Sequence, residues 1–293
     1  MSGLPELKGL HLLLTYRCDS ECDHCFVWSS PRSWATMSLE QVKDIIDQAS
    51  ELEGVDTVYF EGGEPFLYYP LLEAGVDYAH RKGLDVGVVT NGYWASTEED
   101  AMLWLDPLKD KGIVDLSISL DEHHGEGWEE NARRAVSAAR KAGFPVNVLT
   151  VPRVGDSEGG LFFRGRAVDK LAKDAPKRPM VELGGCPEDP PHIRRLHIDP
   201  YGNVMFCQGI SLGNMNDRPL AQIIDSFVAE KHPIVGPLMN GLEELAKAGG
   251  FNPDGKYADA CHLCYTIRTE MISRRMYRLL LKPLQAYGEE GMD

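Results

Sequence analysis

The first half of the chain alternates two hydrophobic patterns, and this alternation limits the possible folds more than any other feature. Continuous apolar runs of strand length are separated by segments with helical periodicity. Ser38 with Gln41 and Ser96 with Glu99 match the capping-box pattern at two predicted helix starts. Such alternation predicts an α/β fold with a parallel sheet covered by helices. The predicted strands are residues 9–15, 55–61, 84–90, 113–120 and 144–151.

Unusual residues follow four of these strands. Three cysteines lie in residues 18–25, the sequence GGEP occupies 62–65, Asn-Gly occupies 91–92 and Asp-Glu-His-His occupies 121–124. The carboxyl ends of parallel strands meet at one edge of a sheet, where active sites of such folds lie. We therefore expect these four loops to form one site.

The cysteines fall into a group of three and a group of four. Cys18, Cys22 and Cys25 are spaced as C-x3-C-x2-C, and they belong to a total of seven cysteines in 293 residues. An odd number argues against a pure disulfide framework. A structural metal site uses four protein ligands, so a site with three leaves one coordination position open for chemistry.

These motifs resemble the radical S-adenosylmethionine (SAM) superfamily over roughly residues 9–155. That family carries C-x3-C-x2-C after its first strand and GGE(P) after its second. The resemblance implies a partial (β/α)6 TIM-like barrel and a 4Fe-4S cluster on Cys18, Cys22 and Cys25. The fourth iron would bind SAM, whose reductive cleavage gives a 5′-deoxyadenosyl radical that abstracts a substrate hydrogen atom.

The resemblance also implies contacts to SAM. The GGE motif binds the methionine amino group in the family, the residue before the last cysteine contacts the adenine side, and a serine on the fourth strand reaches the ribose or carboxylate. An arginine near residue 165 is a further candidate for the methionine carboxylate. The corresponding residues are Gly62, Gly63, Glu64, His24, Ser119 with Ser117 as second choice, and Arg164 or Arg166.

The remaining cysteines resemble the auxiliary-cluster domains called SPASM and twitch. Gly202-x4-Cys207 and Cys261-x2-Cys264 carry this resemblance, and four cysteines match the twitch version with one cluster. The resemblance implies a second 4Fe-4S cluster on Cys186, Cys207, Cys261 and Cys264. Such a cluster would accept an electron from a substrate radical or feed electrons to the first cluster, and a four-thiolate zinc site is the alternative. We predict a barrel at residues 1–180 and an auxiliary domain at 181–293.

The predicted activity is that of a radical SAM oxidoreductase. Its one-cluster layout resembles aminocyclitol dehydrogenases, which favours two-electron oxidation of a small molecule. A peptide-modifying enzyme ranks second, because the first strand begins near Gly9 and leaves no room for an N-terminal peptide-binding domain. The spacing of the second cysteine group does not match an enzyme that activates a glycyl-radical partner. The alternative from another class is a two-cluster electron carrier. The motifs disfavour it, because such a carrier has no need of a SAM site.

The catalytic base stays unknown, with His123, His124 and Glu61 as candidates beside the plainer interpretation of solvated or packed side chains. The net charge of −15 disfavours nucleic acid as a partner. No apolar run of about 18 residues predicts a membrane span, and the N-terminus lacks a signal-peptide pattern. We therefore expect a cytoplasmic protein with oxygen-sensitive clusters. A basic stripe on the last predicted helix is a candidate docking surface for an acidic flavodoxin or ferredoxin, beside the plainer interpretation of a solvated, salt-bridged face. The stripe comprises Arg268, Arg274, Arg275, Arg278 and Lys282.

Overall fold

The computed structural model describes residues 3–124, 127–156 and 160–289. The N-terminal half alternates strands and helices as predicted. Its strands are β1 (Gly9–Thr15), β2 (Thr57–Gly62), β3 (Asp85–Thr90), β4 (Ile113–Ser119) and β5 (Val146–Leu149). Its helices are α1 (Leu39–Glu51), α2 (Tyr69–Arg81), α3 (Glu98–Leu105), α4 (Trp128–Lys141) and α5 (Arg166–Lys170).

Local sequence explains where two of these helices begin. The Ser38 side chain accepts a hydrogen bond from the Gln41 N–H, and Gln41 reciprocates, so the predicted capping box of α1 is confirmed. The prediction for α3 is wrong by one residue. Thr97, not Ser96, caps the helix, because its hydroxyl accepts the N–H of Asp100. The Ser96 hydroxyl instead donates to the Asp100 carboxylate.

The C-terminal half adds shorter elements. Its strands are β6 (Arg178–Pro179), β7 (Arg195–Ile198), β8 (Asn203–Cys207), β9 (Ile210–Asn214) and β10 (Lys256–Tyr257). Its helices are α6 (Leu220–Ser226), α7 (Val235–Met239), α8 (Leu242–Gly249) and α9 (Ala260–Ser273). Short 3-10 turns cover Pro65–Tyr68, Asp106–Leu108, Glu122–His124, Met180–Glu182, Ala229–Lys231 and Leu284–Tyr287.

Eight strands form one sheet in the order β5-β4-β3-β2-β1-β7-β8-β9. Strands β1 to β5 and β7 are parallel, while β8 and β9 complete an antiparallel meander. The predicted α/β fold with a barrel-like parallel core is confirmed. The sixth parallel strand lies beside β1, at the opposite side of the sheet from β5. The sheet and its main core, which runs from Leu4 to Leu281, continue across residue 180, and the division there stays a prediction.

The two faces of the sheet differ in polarity. Leu10, Leu12 and Leu14 of β1 are fully buried against the helices. His11 lies between them in sequence and therefore points to the opposite face. Inward positions of small closed barrels are usually filled by branched apolar side chains. A histidine at this position indicates that the inner face surrounds a polar space, which is where the candidate site lies.

Candidate active site

The three N-terminal cysteines lie at the carboxyl end of the parallel strands. Cys18, Cys22 and Cys25 line one cavity together with Gly62 and Gly63, so the first two loops meet as predicted. This barrel cavity is open to solvent and holds about 820 Å³ of space not filled by atoms. Burial raises the pKa of the Cys18 and Cys25 thiols. A metal would be needed to hold them as thiolates.

A buried arginine holds the cysteine loop in place. The Arg166 N–H donates to the Cys25 carbonyl at 2.9 Å, and its guanidinium donates to the carbonyls of Cys22 at 2.9 Å and Ser29 at 2.7 Å. The Cys18 N–H donates to the Ser30 carbonyl at 3.0 Å. Arg166 was a candidate contact for the SAM carboxylate, but its described hydrogen bonds go to the backbone of the cysteine loop.

The glycines of GGEP allow the second loop to press against the first. The Gly63 N–H donates to the Thr15 carbonyl at 2.7 Å. A Cβ on Gly63 would lie 2.1 Å from the Arg17 carbonyl oxygen, a contact that cannot exist. Gly62 has a φ of +136°, and a Cβ there would lie 2.4 Å from the Thr15 carbonyl oxygen. Both glycines are therefore required by the close approach of two backbones.

Glu64 does not line the barrel cavity, although the resemblance gave its carboxylate a contact with the SAM amino group. Its side chain is completely buried. It accepts hydrogen bonds from the N–H groups of Asn91 at 2.8 Å and Phe66 at 3.0 Å, and from the Thr90 hydroxyl at 2.8 Å. Burial raises the pKa of Glu64, and the hydrogen bonds oppose this shift. The carboxylate thus ties the loop after β2 to the loop after β3.

Asn91 is a site residue whose role the sequence did not reveal. Its N–H binds Glu64, while its side-chain amide donates to the Asp19 carboxylate at 2.9 Å and lies 3.8 Å from the Cys18 sulfur. Asn91 lies in the loop after β3 and contacts both the cysteine loop and the GGEP loop. It therefore connects three loops. Its position at a strand end was the available signal.

A histidine group forms another wall. The His24 ring lies 5.0 Å from the His123 ring and 5.2 Å from the His124 ring, measured between centroids. Burial lowers the pKa of His24 to about 4, and its buried Nδ1 has no hydrogen-bond partner among the described residues. Burial lowers the pKa of His124, but a 2.8 Å hydrogen bond to the Asp121 carboxylate and the proximity of Cys22 raise it to about 10. His24 and His124 line the barrel cavity.

The other predicted side chains divide between the barrel cavity and the structure around it. Ser119 and Glu61 line the cavity. Ser117 is buried and donates to the Asp115 carboxylate at 3.0 Å, which leaves Ser119 as the serine that faces the cavity. His123 bonds the Pro152 carbonyl through Nε2 at 3.1 Å and belongs to the supporting loop.

The last four cysteines line a second cavity. Cys186, Cys207, Cys261 and Cys264 surround about 370 Å³ of space not filled by atoms. Among the described residues, no three of these sulfur atoms lie within 4.8 Å of one another. Around a single tetrahedral zinc ion, thiolate sulfurs would lie about 3.8 Å apart. We call this space the C-terminal cavity.

The C-terminal cavity is also lined by three charged side chains that the sequence did not place at this site. They are Arg164, Glu188 and Arg268. The Arg164 guanidinium donates to the Glu188 carboxylate at 2.7 Å and lies 3.5 Å from the Cys207 sulfur. The predicted contact of Arg164 with SAM is therefore wrong, because this side chain belongs to the other cavity.

Arg268 is also corrected, since it does not belong to an exposed basic stripe. Its side chain is fully buried, and its guanidinium donates to the Gln208 carbonyl and the Tyr287 hydroxyl. Its Nε has no hydrogen-bond partner in the described part of the chain. Helix α9 ends at Ser273, so the exposed basic residues Arg274, Arg275 and Arg278 follow the helix.

The arrangement fits the cofactors that the motifs imply. Three cysteines share a cavity that extends past the ring of His24, whose Nδ1 lacks a partner, to the hydroxyl of Ser119. The model of the radical SAM superfamily matches residues 12–159, which is just over half of the 293 residues. The chain belongs to the radical SAM superfamily. Members of this superfamily use a 4Fe-4S cluster and SAM.

Curated radical SAM relatives match part of the chain. The antilisterial bacteriocin subtilosin biosynthesis protein AlbA of Bacillus subtilis is 33% identical over 151 residues, which cover 52% of this chain and 31% of AlbA. The mycofactocin maturase MftC of Mycolicibacterium smegmatis is 34% identical over 146 residues, which cover 47% of this chain and 36% of MftC. The matched region thus spans about a third of each relative.

A solved structure of anSMEcpe with bound AdoMet and a peptide shares the fold. The TM-score is 0.51 at 14% identity, and the match covers 92% of this chain and 98% of anSMEcpe. The likeness therefore includes the C-terminal half as well as the barrel. Within the described ranges, no helix combines the length and apolar character that crossing a membrane requires.

Proposed function

We propose that the protein abstracts a hydrogen atom from its substrate and passes the remaining electron to a second 4Fe-4S cluster, which completes a two-electron oxidation. The observation that carries this proposal is the C-terminal cavity, where four cysteines and two buried arginines surround a space separate from the barrel cavity. SAM and the first cluster, when bound, supply the hydrogen-abstracting radical.

The residues of the barrel cavity position these groups. Cys18, Cys22 and Cys25 hold the first cluster and leave one iron open for SAM. The backbone of Gly62 and Gly63 faces the methionine end of SAM. His24 stays neutral because burial lowers its pKa, and it offers Nδ1 as a hydrogen-bonding atom toward the adenine side. Ser119 offers a hydroxyl to the ribose or carboxylate.

The C-terminal cavity suits a cluster better than a zinc ion. Its sulfur atoms are spread more widely than the ligands of a single zinc ion would be. A 4Fe-4S cluster with four thiolate ligands carries net negative charge, and the Arg164 and Arg268 guanidinium groups beside the cysteines offset it. Four cysteines also leave no iron open for substrate, which suits electron transfer.

A peptide is the proposed substrate. AlbA and MftC are named for bacteriocin biosynthesis and for maturation, and each matches about half of this chain. A polar small molecule is the second candidate, because the Glu61 carboxylate and the Ser119 hydroxyl line the barrel cavity. We propose an acidic flavodoxin or ferredoxin as electron donor, docking at a groove that Arg275 and Arg278 line.

Anaerobic reconstitution followed by iron and sulfide analysis tests the proposal. About eight irons per chain are expected, and Cys261→Ser should reduce this to about four while 5′-deoxyadenosine still forms from SAM and dithionite. Cys18→Ser should abolish 5′-deoxyadenosine and keep the second cluster. Four irons and one zinc in the unaltered protein would overturn the two-cluster oxidation. Candidate peptides and polyols can then be compared by substrate-dependent 5′-deoxyadenosine formation.

A further inference from the structure

Three neighbouring parallel strands bring two histidines and a glutamate together on the inner face of the sheet. His11 of β1 pairs in register with His197 of β7, and Glu61 lies on β2 at the other side of β1. His11 Nδ1 lies 3.2 Å from Glu61 Oε2, and His197 Nε2 lies 3.4 Å from Glu61 Oε1. One ligand atom from each residue lies within 4.8 Å of the others.

This group is buried but reaches the barrel cavity. The side chains of His11, Glu61 and His197 are 15%, 13% and 5% exposed, and Glu61 lines the cavity. Two of their buried polar atoms, Glu61 Oε1 and His197 Nδ1, have no hydrogen-bond partner among the described residues. Buried polar atoms normally have partners, so Glu61 Oε1, which His197 Nε2 faces at 3.4 Å, needs an explanation.

Neighbouring side chains fix the position of the His11 ring. Tyr59 stacks on it with a centroid distance of 4.6 Å, and the Tyr59 hydroxyl donates to the Asp115 carboxylate at 3.0 Å. The Tyr59 ring lies across Gly87 of β3, where a Cβ would be 2.2 Å from it. Gly87 therefore makes room for Tyr59, and the sheet supports the His11 ring from one side.

The charge states match those of metal ligands. Burial raises the pKa of Glu61, but His11 and His197 lower it to about 2, so this carboxylate is charged at neutral pH. Burial lowers the pKa of His197 to about 3, so that imidazole is neutral. Neutral imidazole and ionised carboxylate are the forms that bind metals.

We propose that His11, Glu61 and His197 form a binding site for one divalent transition-metal ion, with its open coordination positions facing the barrel cavity. Two imidazoles and a carboxylate suit zinc or ferrous iron. Ligand atoms about 2.0–2.2 Å from such an ion would lie about 3.4 Å apart in tetrahedral geometry, and each histidine nitrogen lies at such a distance, 3.2 or 3.4 Å, from one of the two Glu61 oxygens. Glu61 Oε1 then gains a partner.

A plain hydrogen-bonded group explains less. A hydrogen bond between His11 and Glu61 satisfies one carboxylate oxygen only. The contact of His197 Nε2 with the other oxygen does not meet hydrogen-bond geometry, since Glu61 Oε1 has no hydrogen-bond partner among the described residues. The proposed site is also independent of the second cluster, because it shares no residue with the C-terminal cavity.

Zinc binding to the reconstituted holoprotein tests the site. The protein with filled clusters is dialysed anaerobically against buffered Zn²⁺, and zinc and iron are counted in the same sample. If the iron content is unchanged, the bound zinc has not replaced cluster iron. Glu61→Gln keeps the side-chain shape, and His197→Ala removes a second ligand. Glu53→Gln, at an exposed carboxylate in a turn outside this group, is the matched control.

One zinc per chain is expected in the unaltered protein and in Glu53→Gln. Glu61→Gln and His197→Ala should each weaken zinc binding by more than the roughly 10–100-fold cost of losing an outer-shell partner. Circular dichroism and iron content identify any variant that fails to fold, and His11→Gln then replaces it. The proposal would be overturned if zinc bound only by displacing iron, or if all variants bound zinc with equal affinity.

Discussion

Replacing Glu64 by glutamine distinguishes two roles for the third residue of the GGE motif, which are holding neighbouring loops together and contacting SAM. In the structure the carboxylate is buried and meets three donors, from Asn91, Phe66 and Thr90. The Thr90 oxygen already accepts hydrogen bonds from the Gly92 N–H and the Trp94 indole, each at 3.1 Å. Its own proton must therefore point to Glu64, so the environment offers donors and no acceptor.

A glutamine in this environment places its NH2 group against a donor. With its oxygen toward Phe66 and Thr90, its nitrogen faces the Asn91 N–H and one hydrogen bond is lost. Leaving a buried donor without its partner costs about 1–3 kcal/mol. We therefore expect Glu64→Gln to lower the free energy of unfolding by about 2 kcal/mol. For a domain of this size that shift corresponds to roughly 4–8 °C in the thermal midpoint.

The assay is thermal unfolding of the reconstituted protein without SAM, followed by tryptophan fluorescence under anaerobic conditions. Glu53→Gln, at an exposed carboxylate in a turn, is the control and should shift the midpoint by no more than about 1–2 °C. SAM affinity is measured on the same samples by equilibrium dialysis. An unchanged midpoint together with weaker SAM binding would refute the reasoning, since it would mean that the carboxylate contacts SAM rather than the loops.

Three further results are expected. Gly63→Ala should weaken SAM binding while cluster iron is retained, because its Cβ would lie 2.1 Å from the neighbouring backbone. The control Gly184→Ala should leave SAM binding unchanged, because a Cβ there meets open space. Arg268→Gln should lower the midpoint potential of the second cluster by on the order of 90 mV in a redox titration. The reason is that removing a buried positive charge costs the reduced cluster roughly 2 kcal/mol of electrostatic stabilisation. The exposed control Arg274→Gln should leave the potential unchanged. Burial raises the pKa of Glu188, but its two arginine partners hold it at about 2. Its stabilisation is thus present above about pH 4.5 and lost toward pH 2, and urea unfolding of Glu188→Gln should show a flatter pH dependence there and about 3 kcal/mol less stability at pH 7.

The barrel could be predicted because its signals are local. Each of its strands is a short apolar run between helix caps and glycines, and β1 occupies the predicted residues 9–15. Parallel pairing then placed the four loops at one edge, as the shared lining by Cys18, Gly63, Asn91 and His124 confirms. The exact bounds were less predictable, since Ser96 and Thr97 both offer a capping hydroxyl and only the geometry selects Thr97.

The rest depended on long-range contacts that leave little trace in the sequence. β7 pairs with β1 across more than 180 residues, and this pairing alone brings His197 to His11. Arg164 and Arg166 are two residues apart, but Arg164 lines the C-terminal cavity while Arg166 donates to the backbone of the cysteine loop. Arg268 looked like part of a basic surface because neighbouring positive charges are exposed, while its own side chain is buried beneath Tyr287.

The charges around the two cysteine groups favour one direction of electron transfer in the proposed reaction. Burial raises the pKa of the Cys18 thiol, and the nearby Glu64 and Asp19 side chains raise it further, so this environment disfavours added negative charge. Around the last four cysteines, burial raises the pKa of Cys264, but Arg268 and Arg164 oppose this shift, so the two guanidinium groups favour negative charge there. An electron is therefore better stabilised in the C-terminal cavity than in the barrel cavity. This difference supports the second cluster as the acceptor of the substrate electron and argues against a role in feeding electrons to the first.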